Sequence, residues 1–235
     1  MARVDLPISP IERALFVPAA DALVVADVHL GRGADSSVAA PIDDGGAVRD
    51  RLESLLVRTD PETVVVAGDL LHAFDGVPRG LKRDLTAFEA CIEAAGAALV
   101  VTPGNHDPML ETVFDGATTS EYRLADGETV VCHGHEPPET AATRYVIGHD
   151  HPALDVEGRK HPCFLYGPAV YEGADVIVCP AFSPLAAGAT VNGMGGPDFQ
   201  SPLITDVDAF HPGVWDDSSE KVLWFPPLGE CRRLL

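Results

Sequence analysis

Five short apolar runs in this chain end in residues able to bind metals or move protons. Ala22-Leu23-Val24-Val25-Ala26 leads into Asp27-Val28-His29, and Val64-Val65-Val66-Ala67 leads into Gly68-Asp69. Ala97-Ala98-Leu99-Val100-Val101 leads, through Thr102-Pro103, into Gly104-Asn105-His106-Asp107. Val130-Val131-Cys132 leads into His133-Gly134-His135, and Tyr145-Val146-Ile147 into Gly148-His149-Asp150-His151. Carboxylate, carboxamide and neutral imidazole together suit a borderline divalent ion such as Mn, Fe, Zn, Ni or Co, whereas a Mg or Ca site would be richer in oxygen donors. One histidine at a strand end is ordinarily a satisfied polar residue, and one Gly-Asp pair carries no information. Five such blocks, each after an apolar run, point to one metal site fed by several strand ends, with Asp69 expected to bridge two ions.

A β-branched run bounded by turn residues reads as a buried strand, which delivers its last residues at the carboxyl edge of a sheet, where α/β folds place their chemistry. The pattern predicts strands over 23–26, 63–67 and 97–101. Between them, Val48, Leu52, Leu55 and Leu56 fall at helical spacing over 44–58, with Asp43 and Asp44 as caps. Leu81, Leu85, Phe88 and Ile92 do so over 80–95, closed by Gly96. The order βαβαβ predicts parallel strands with right-handed crossovers. Residues 1–20, carrying Pro7, Pro10 and Pro18, are expected to form an irregular lead-in or an edge strand, and Leu70 to Gly76 an active-site loop. From about residue 120 the texture changes to short strand-like runs at 122–124, 128–132, 144–147, 163–166, 176–178 and 222–225. A mostly β half packed on the first implies a two-sheet α/β sandwich with helices outside. The expected organisation is one domain over 1–235, with the ligand blocks within 22–152 and residues 153–235 completing the second sheet and its loops. The Gly- and Pro-rich stretch 180–212 is expected to be an ordered loop.

The blocks Asp27-Val28-His29, Gly68-Asp69, Gly104-Asn105-His106-Asp107, His133-Gly134 and Gly148-His149-Asp150-His151 resemble, in content and order, the calcineurin-like metallophosphoesterases. The resemblance implies a four-layer αββα sandwich and two divalent transition-metal ions, manganese foremost. It implies that Asp27, His29, Asp69 and His151 hold one ion and that Asp69, Asn105, His133 and His149 hold the other. Two ions about 3.5–4 Å apart can clamp a phosphate and share a hydroxide for in-line attack, with no covalent enzyme intermediate. By the same resemblance His106 is the catalytic histidine facing the phosphate, with Asp107 orienting it. Arg32 and His72 are candidates for substrate binding, and His135 for a supporting or structural role. Protein phosphatases of the family continue their Gly-Asp with Asp-Arg-Gly, and purple acid phosphatases carry a tyrosine where this chain has His72. The Asp27-Val28-His29-Leu30-Gly31-Arg32 and Gly68-Asp69-Leu70-Leu71-His72 blocks are more similar to the nuclease-related branch, nearest to the small archaeal proteins related to SbcD and the phosphoesterases associated with DNA ligases. The expected activity is therefore a phosphodiesterase of nuclease type acting on a phosphate ester, with nucleic acid among the candidates. The alternatives are a phosphomonoesterase, a small-nucleotide phosphodiesterase, or a scaffold that has lost catalysis, against which the retained His106 speaks.

Composition limits the partners. With 36 acidic residues against 16 basic ones the net charge is −20, which opposes extended nucleic acid and anionic membrane at ordinary salt. Spread along the chain, this charge fits a cytoplasm of very high salt, where screening is short-ranged, and hence a halophilic, archaeal source. The N-terminus lacks the basic stretch and apolar core of a signal peptide, and no apolar run approaches the ~18 residues of a membrane helix. A cytoplasmic protein is expected. Five scattered cysteines, none in a C-x-x-C arrangement, read as buried hydrophobes in a reducing compartment.

Overall fold

The computed structural model describes residues 6–35 and 44–232. The first sheet has the order β1 (Ser9–Ile11), β2 (Ala14–Val17), β3 (Ala22–Val25), β4 (Thr63–Ala67), β5 (Ala98–Thr102), β6 (Ala117–Thr118). From β3 to β6 the neighbours are parallel, and an antiparallel hairpin, β1–β2, finishes the edge. The proline-containing lead-in thus forms an edge hairpin. Strands β3 and β4 lie centrally with both faces covered, which is why they read as unbroken Val and Leu rather than as an alternating pattern.

Two long helices complete the crossovers, α1 (Asp44–Thr59) and α2 (Leu81–Ala94). Their apolar stripes, Val48, Leu52, Leu55 and Leu56 on one and Leu81, Leu85, Phe88 and Ile92 on the other, pack on Leu23, Val25, Val64 and Val66. Each such fully buried side chain contributes about 1.5–3 kcal/mol. Helix α2 ends as the sequence predicts. Gly96, at φ +77°, donates its N–H to Glu93, and Ala97 donates to Ile92, which together satisfy the last carbonyls. The expected cap Asp43 lies outside the described residues, as does the side chain of Asp44.

The second sheet comprises β7 (Glu121–Arg123), β8 (Thr129–Cys132), β9 (Arg144–Ile147), β10 (Pro152–Val156), β11 (Arg159–Tyr171), β12 (Ala174–Val178), β13 (Ala189–Thr190), β14 (His211–Asp216) and β15 (Lys221–Trp224). Its order is β13-β10-β11-β12-β9-β8-β7, with β14 and β15 joined through β11. Val24, Ala26, Val65 and Ala67 of the first sheet meet Val131, Val146, Phe164, Ile177 and Cys179 of the second, forming the dry centre of the sandwich. On the outer face of the second sheet, Val130, Ile147, Leu165, Val176 and Val178 are covered by Val191, Phe199, Leu203, Val207, Phe210 and Leu228. That outer layer is made of 3₁₀ turns at Val191–Gly193, Gly196–Asp198 and Val207–Ala209 and the short helix Leu228–Cys231. The stretch 180–212 is therefore an ordered cover for the second sheet, and its last two residues already belong to β14. All five cysteines are free; Cys132, Cys163, Cys179 and Cys231 are buried and Cys91 is half-buried. No helix among the described residues is long and apolar enough to cross a membrane.

Candidate functional site

The carboxyl ends of the strands of both sheets meet at one edge, and the chain there is tied crosswise. Beyond β3 and β4 the backbone keeps pairing, with Asp27 N–H donating to Gly68, His29 N–H to Asp69 and His72 N–H to Leu30. The second sheet is fastened to the first through side chains. The Asp27 carboxylate accepts the N–H of His149 at 3.1 and 3.2 Å, and His133 Nδ1 lies 3.3 Å from the Ala67 carbonyl. That contact places the His133 proton on Nδ1 and leaves the Nε2 lone pair facing inward.

Two sets of donor atoms converge on opposite sides of Asp69. On one side, His151 Nε2 is 3.2 Å from both His29 Nε2 and Asp27 Oδ1, and His29 Nε2 is 3.8 Å from Asp69 Oδ2. One donor atom from each of Asp27, His29, Asp69 and His151 lies within 4.8 Å of the others. On the other side, His133 Nε2 is 3.0 Å from Asn105 Oδ1, 3.1 Å from His149 Nδ1 and 3.5 Å from Asp69 Oδ1. The two oxygens of one carboxylate thus face two separate clusters, and all seven residues expected to bind metal come together. A further triad, His29, His72 and His106, lies equally close.

Holding these groups together requires unusual backbone. Asp27, His29, Asp69, His149 and His151 all have positive φ, between 43° and 72°, a conformation costing of order 1–3 kcal/mol at a non-glycine residue. Each Gly of the motifs lies against a neighbouring block. A Cβ on Gly68 would fall 1.9 Å from the His133 ring, one on Gly104 2.1 Å from Asp69 Oδ1, and one on Gly148 2.7 Å from Asp27 Oδ2. These glycines precede their Asp, Asn and His because the side chain of another block occupies the space.

The electrostatics are those of a site short of positive charge. Burial, reinforced by the charge of Asp27, pushes Asp69 up to about 8. Burial pushes His29 down to about 3 and His133 down to about 4, despite the favourable charge of Asp27. Burial also holds His149 down, so that His133 and His149 face each other unprotonated at 3.1 Å, whereas the Asp27 carboxylate, against the effect of burial, raises His151, which stands 3.2 Å from His29. Buried carboxylates crowded among imidazoles are the surroundings a cation relieves. The mix of imidazole, carboxylate and carboxamide fits a divalent transition metal on each side of Asp69.

The remaining candidates divide. His106 is half-buried, donates its backbone N–H to Asp69 Oδ1 at 2.9 Å, and lines an open cleft with Arg32, His72, Asn105, His149 and His151. Its ring stacks on that of His72 at 5.4 Å. Asp107, expected to orient His106, does something else. Its carboxylate accepts backbone N–H groups from Leu70, Leu71 and Gly104 at 3.2, 2.8 and 2.9 Å, and His106 Nδ1 has no hydrogen-bond partner among the described residues. Adjacent residues on a tight turn point apart, so Asp107 pins the Asp69 loop from beneath while His106 faces the cleft. His135 is exposed, its ring 5.1 Å from that of His133. Two further contributors lie in segments that the sequence marks, the Gly148-His149-Asp150-His151 block and the Leu70 to Gly76 loop, without a role being read for them. Asp150, buried, accepts the N–H of Gln200 and Ser201 and so docks the outer loop onto the cleft. Phe74 lies against both His72 and His106; an aromatic in a loop outside any periodic run was the one available hint.

The chain is similar along 91% of its length, and 91% of the other's, to the crystal structure of a nuclease MPE from Pseudomonas putida, at 25% identity and a TM-score of 0.62. It also aligns with Yfce, a phosphoesterase from E. coli, at 15% identity and a TM-score of 0.43, over 86% of this chain and 96% of that one. No curated protein matches it. The model of the calcineurin-like phosphoesterase family matches residues 21–179, from the first strand of the βαβαβ unit through the second histidine pair to Cys179, so the chain belongs to the calcineurin-like phosphoesterases and is a hydrolase of phosphoester bonds.

Proposed function

We propose that this protein is a two-metal phosphodiesterase, with Asp27, His29, Asp69 and His151 holding one ion and Asp69, Asn105, His133 and His149 the other. The observation that carries the reading is the Asp69 carboxylate, whose two oxygens face two donor clusters at 3.8 and 3.5 Å. Manganese is the foremost candidate, with Fe, Zn, Ni and Co close in preference for such a donor set. When bound, the ions supply Lewis acidity at the phosphoryl oxygens and lower the pKa of water. The chain's own residues do the rest. The zipped loops of β3 and β4 and the Asp107 carboxylate fix Asp69, so that the donors are arranged before substrate arrives. His106 stands at the cleft wall, positioned by the backbone bond to Asp69, and donates a hydrogen bond to the ester oxygen as the leaving group departs. Arg32, also lining the cleft, is placed to take a non-bridging phosphate oxygen.

Likeness to a nuclease supports a phosphodiester substrate, nucleic acid included. The net charge of −20 favours short or single-stranded segments over long duplex. The test is hydrolysis of bis-p-nitrophenyl phosphate by the Mn-loaded protein and its His106→Asn variant. The reading expects turnover that falls about 10²–10⁴-fold in the variant. Absence of turnover on this ester, on p-nitrophenyl phosphate and on single-stranded DNA, with Mn, Ni and Co alike, would refute it.

A further inference from the structure

Among the described residues only three large apolar side chains are exposed, and two of them, Phe74 and Val77, stand on the loop that follows Asp69. Phe74 is 46% exposed, yet it is not adrift. Its ring centroid lies 4.6 Å from that of His106, at 61°, and 5.3 Å from that of His72, at 78°. Both histidines line the cleft, so the phenyl ring stands beside it, packed against two of its lining residues. Further along the same loop, a Cβ on Gly76 would meet nothing within 4 Å. Charge is scarce here: Arg32 is the only Lys or Arg among the described residues lining the cleft, on a protein of net charge −20. Beyond the ions and Arg32, the described cleft lining offers no further cation for the phosphates, so contact with a base is a way to add affinity.

We propose that Phe74, flanked by Val77, is a stacking platform for an unpaired nucleobase next to the scissile phosphodiester, and that it makes the enzyme selective for single-stranded or short nucleic acid. This rests on the phosphodiesterase reading above and deepens it. Every base presents a π-face, so the platform selects bases over no base without reading sequence. Phe74 is a specificity residue in contact with substrate. The bond-breaking step is left to the groups already described.

The experiment compares a single-stranded DNA trinucleotide with the same backbone carrying tetrahydrofuran abasic sites, using Mn-loaded wild type, Phe74→Ala and Phe74→Trp. Both kcat/KM and equilibrium binding by calorimetry are measured. Wild type is expected to prefer the base-bearing strand about 5- to 150-fold, the span of base–aromatic stacking on alanine substitution. That ratio should fall towards one in Phe74→Ala and return in Phe74→Trp. Equal handling of the two strands by wild type, or a loss in Phe74→Ala that is the same for both, would overturn the platform; the latter would mean that Phe74 acts by supporting His106. Because binding needs no turnover, the two readings fail separately. A base preference in binding with no hydrolysis of either strand or of bis-p-nitrophenyl phosphate would uphold the platform and sink the phosphodiesterase, whereas hydrolysis without base preference would do the reverse.

Discussion

Replacing Gly104 by alanine tests whether the site is as tightly interlocked as its distances say. A Cβ at this position would lie 2.1 Å from Asp69 Oδ1 and 2.6 Å from the Asp69 nitrogen. Gly104 is outside the left-handed region, so the substitution adds a methyl group without straining its own φ. Cβ contacts under 3.0 Å essentially do not occur, so Oδ1 must retreat by about 0.9 Å. Metal–ligand distances tolerate only about 0.2 Å, and a working site about 0.5 Å. The displacement exceeds both, and it also breaks the 2.9 Å bond from the His106 N–H to Oδ1. The expected outcome is an apo protein destabilised by about 1–3 kcal/mol, the usual cost of overpacking, with Mn affinity reduced at least 100-fold, since loss of an outer-shell partner alone costs 10–100-fold. Urea unfolding and titration calorimetry read the two effects. Gly127→Ala, where a Cβ meets nothing within 4 Å but φ is +72°, separates site damage from simple loss of a glycine. Mn binding by Gly104→Ala within threefold of wild type would refute the reasoning.

Other outcomes follow from the same contacts. Asp107→Ala strips the acceptor from three backbone N–H groups, of Leu70, Leu71 and Gly104; at about 1–3 kcal/mol for each unsatisfied donor, it should cost ~3 kcal/mol or more in urea unfolding, and a loss under about 1 kcal/mol would contradict its role as the loop's anchor. Mn at 100 times the Kd of each site should raise unfolding free energy by about 2.7 kcal/mol per ion, roughly 5 kcal/mol for two, an increment expected to disappear in Asp69→Asn and readable as a shift in Tm. Asp126 supplies a pH dependence away from the site. Burial alone would raise it, but hydrogen bonds from the Thr129 hydroxyl and the Thr129 and Glu128 N–H groups outweigh this and hold it below the usual carboxylate range. A depressed carboxyl stabilises the fold above its unfolded pKa of about 3.8 and ceases to as pH falls through the folded value. The stability gap between wild type and Asp126→Ala should therefore shrink on acidification below that value; a gap that grew would reverse the sign of the argument.

What could be read in advance was what periodicity encodes. Central strands with both faces covered advertise themselves as Val-Val-Val runs, and α1 and α2 by apolar residues three and four apart. Strands β10 and β14 escaped because each carries a proline at or next to its start, Pro152 and Pro212, which reads as a break; such a proline removes one donor without ending the ladder. The edge hairpin was legible in part: an edge strand was one of two readings of residues 1–20, and Pro10, inside β1, hid its pairing. At the site, Asp and His residues at the ends of apolar runs had to share the carboxyl edge, so their convergence followed from topology. The role of Asp107 did not, because sequence adjacency to His106 says nothing about which way a turn aims a carboxylate. Phe74 lay in a segment read as an active-site loop, but its contacts with His72 and His106 were unreadable for a different reason: exposure belongs to the folded surface and leaves no period in the chain.

The central claim is that one carboxylate, Asp69, serves two ions. The most direct measurement is an anomalous difference map from crystals of the Mn-loaded protein. The account predicts two peaks about 3.5–4 Å apart, with Asp69 between them, one beside His29 and His151 and the other beside His133 and His149. A single peak, or two that do not share Asp69, would contradict it.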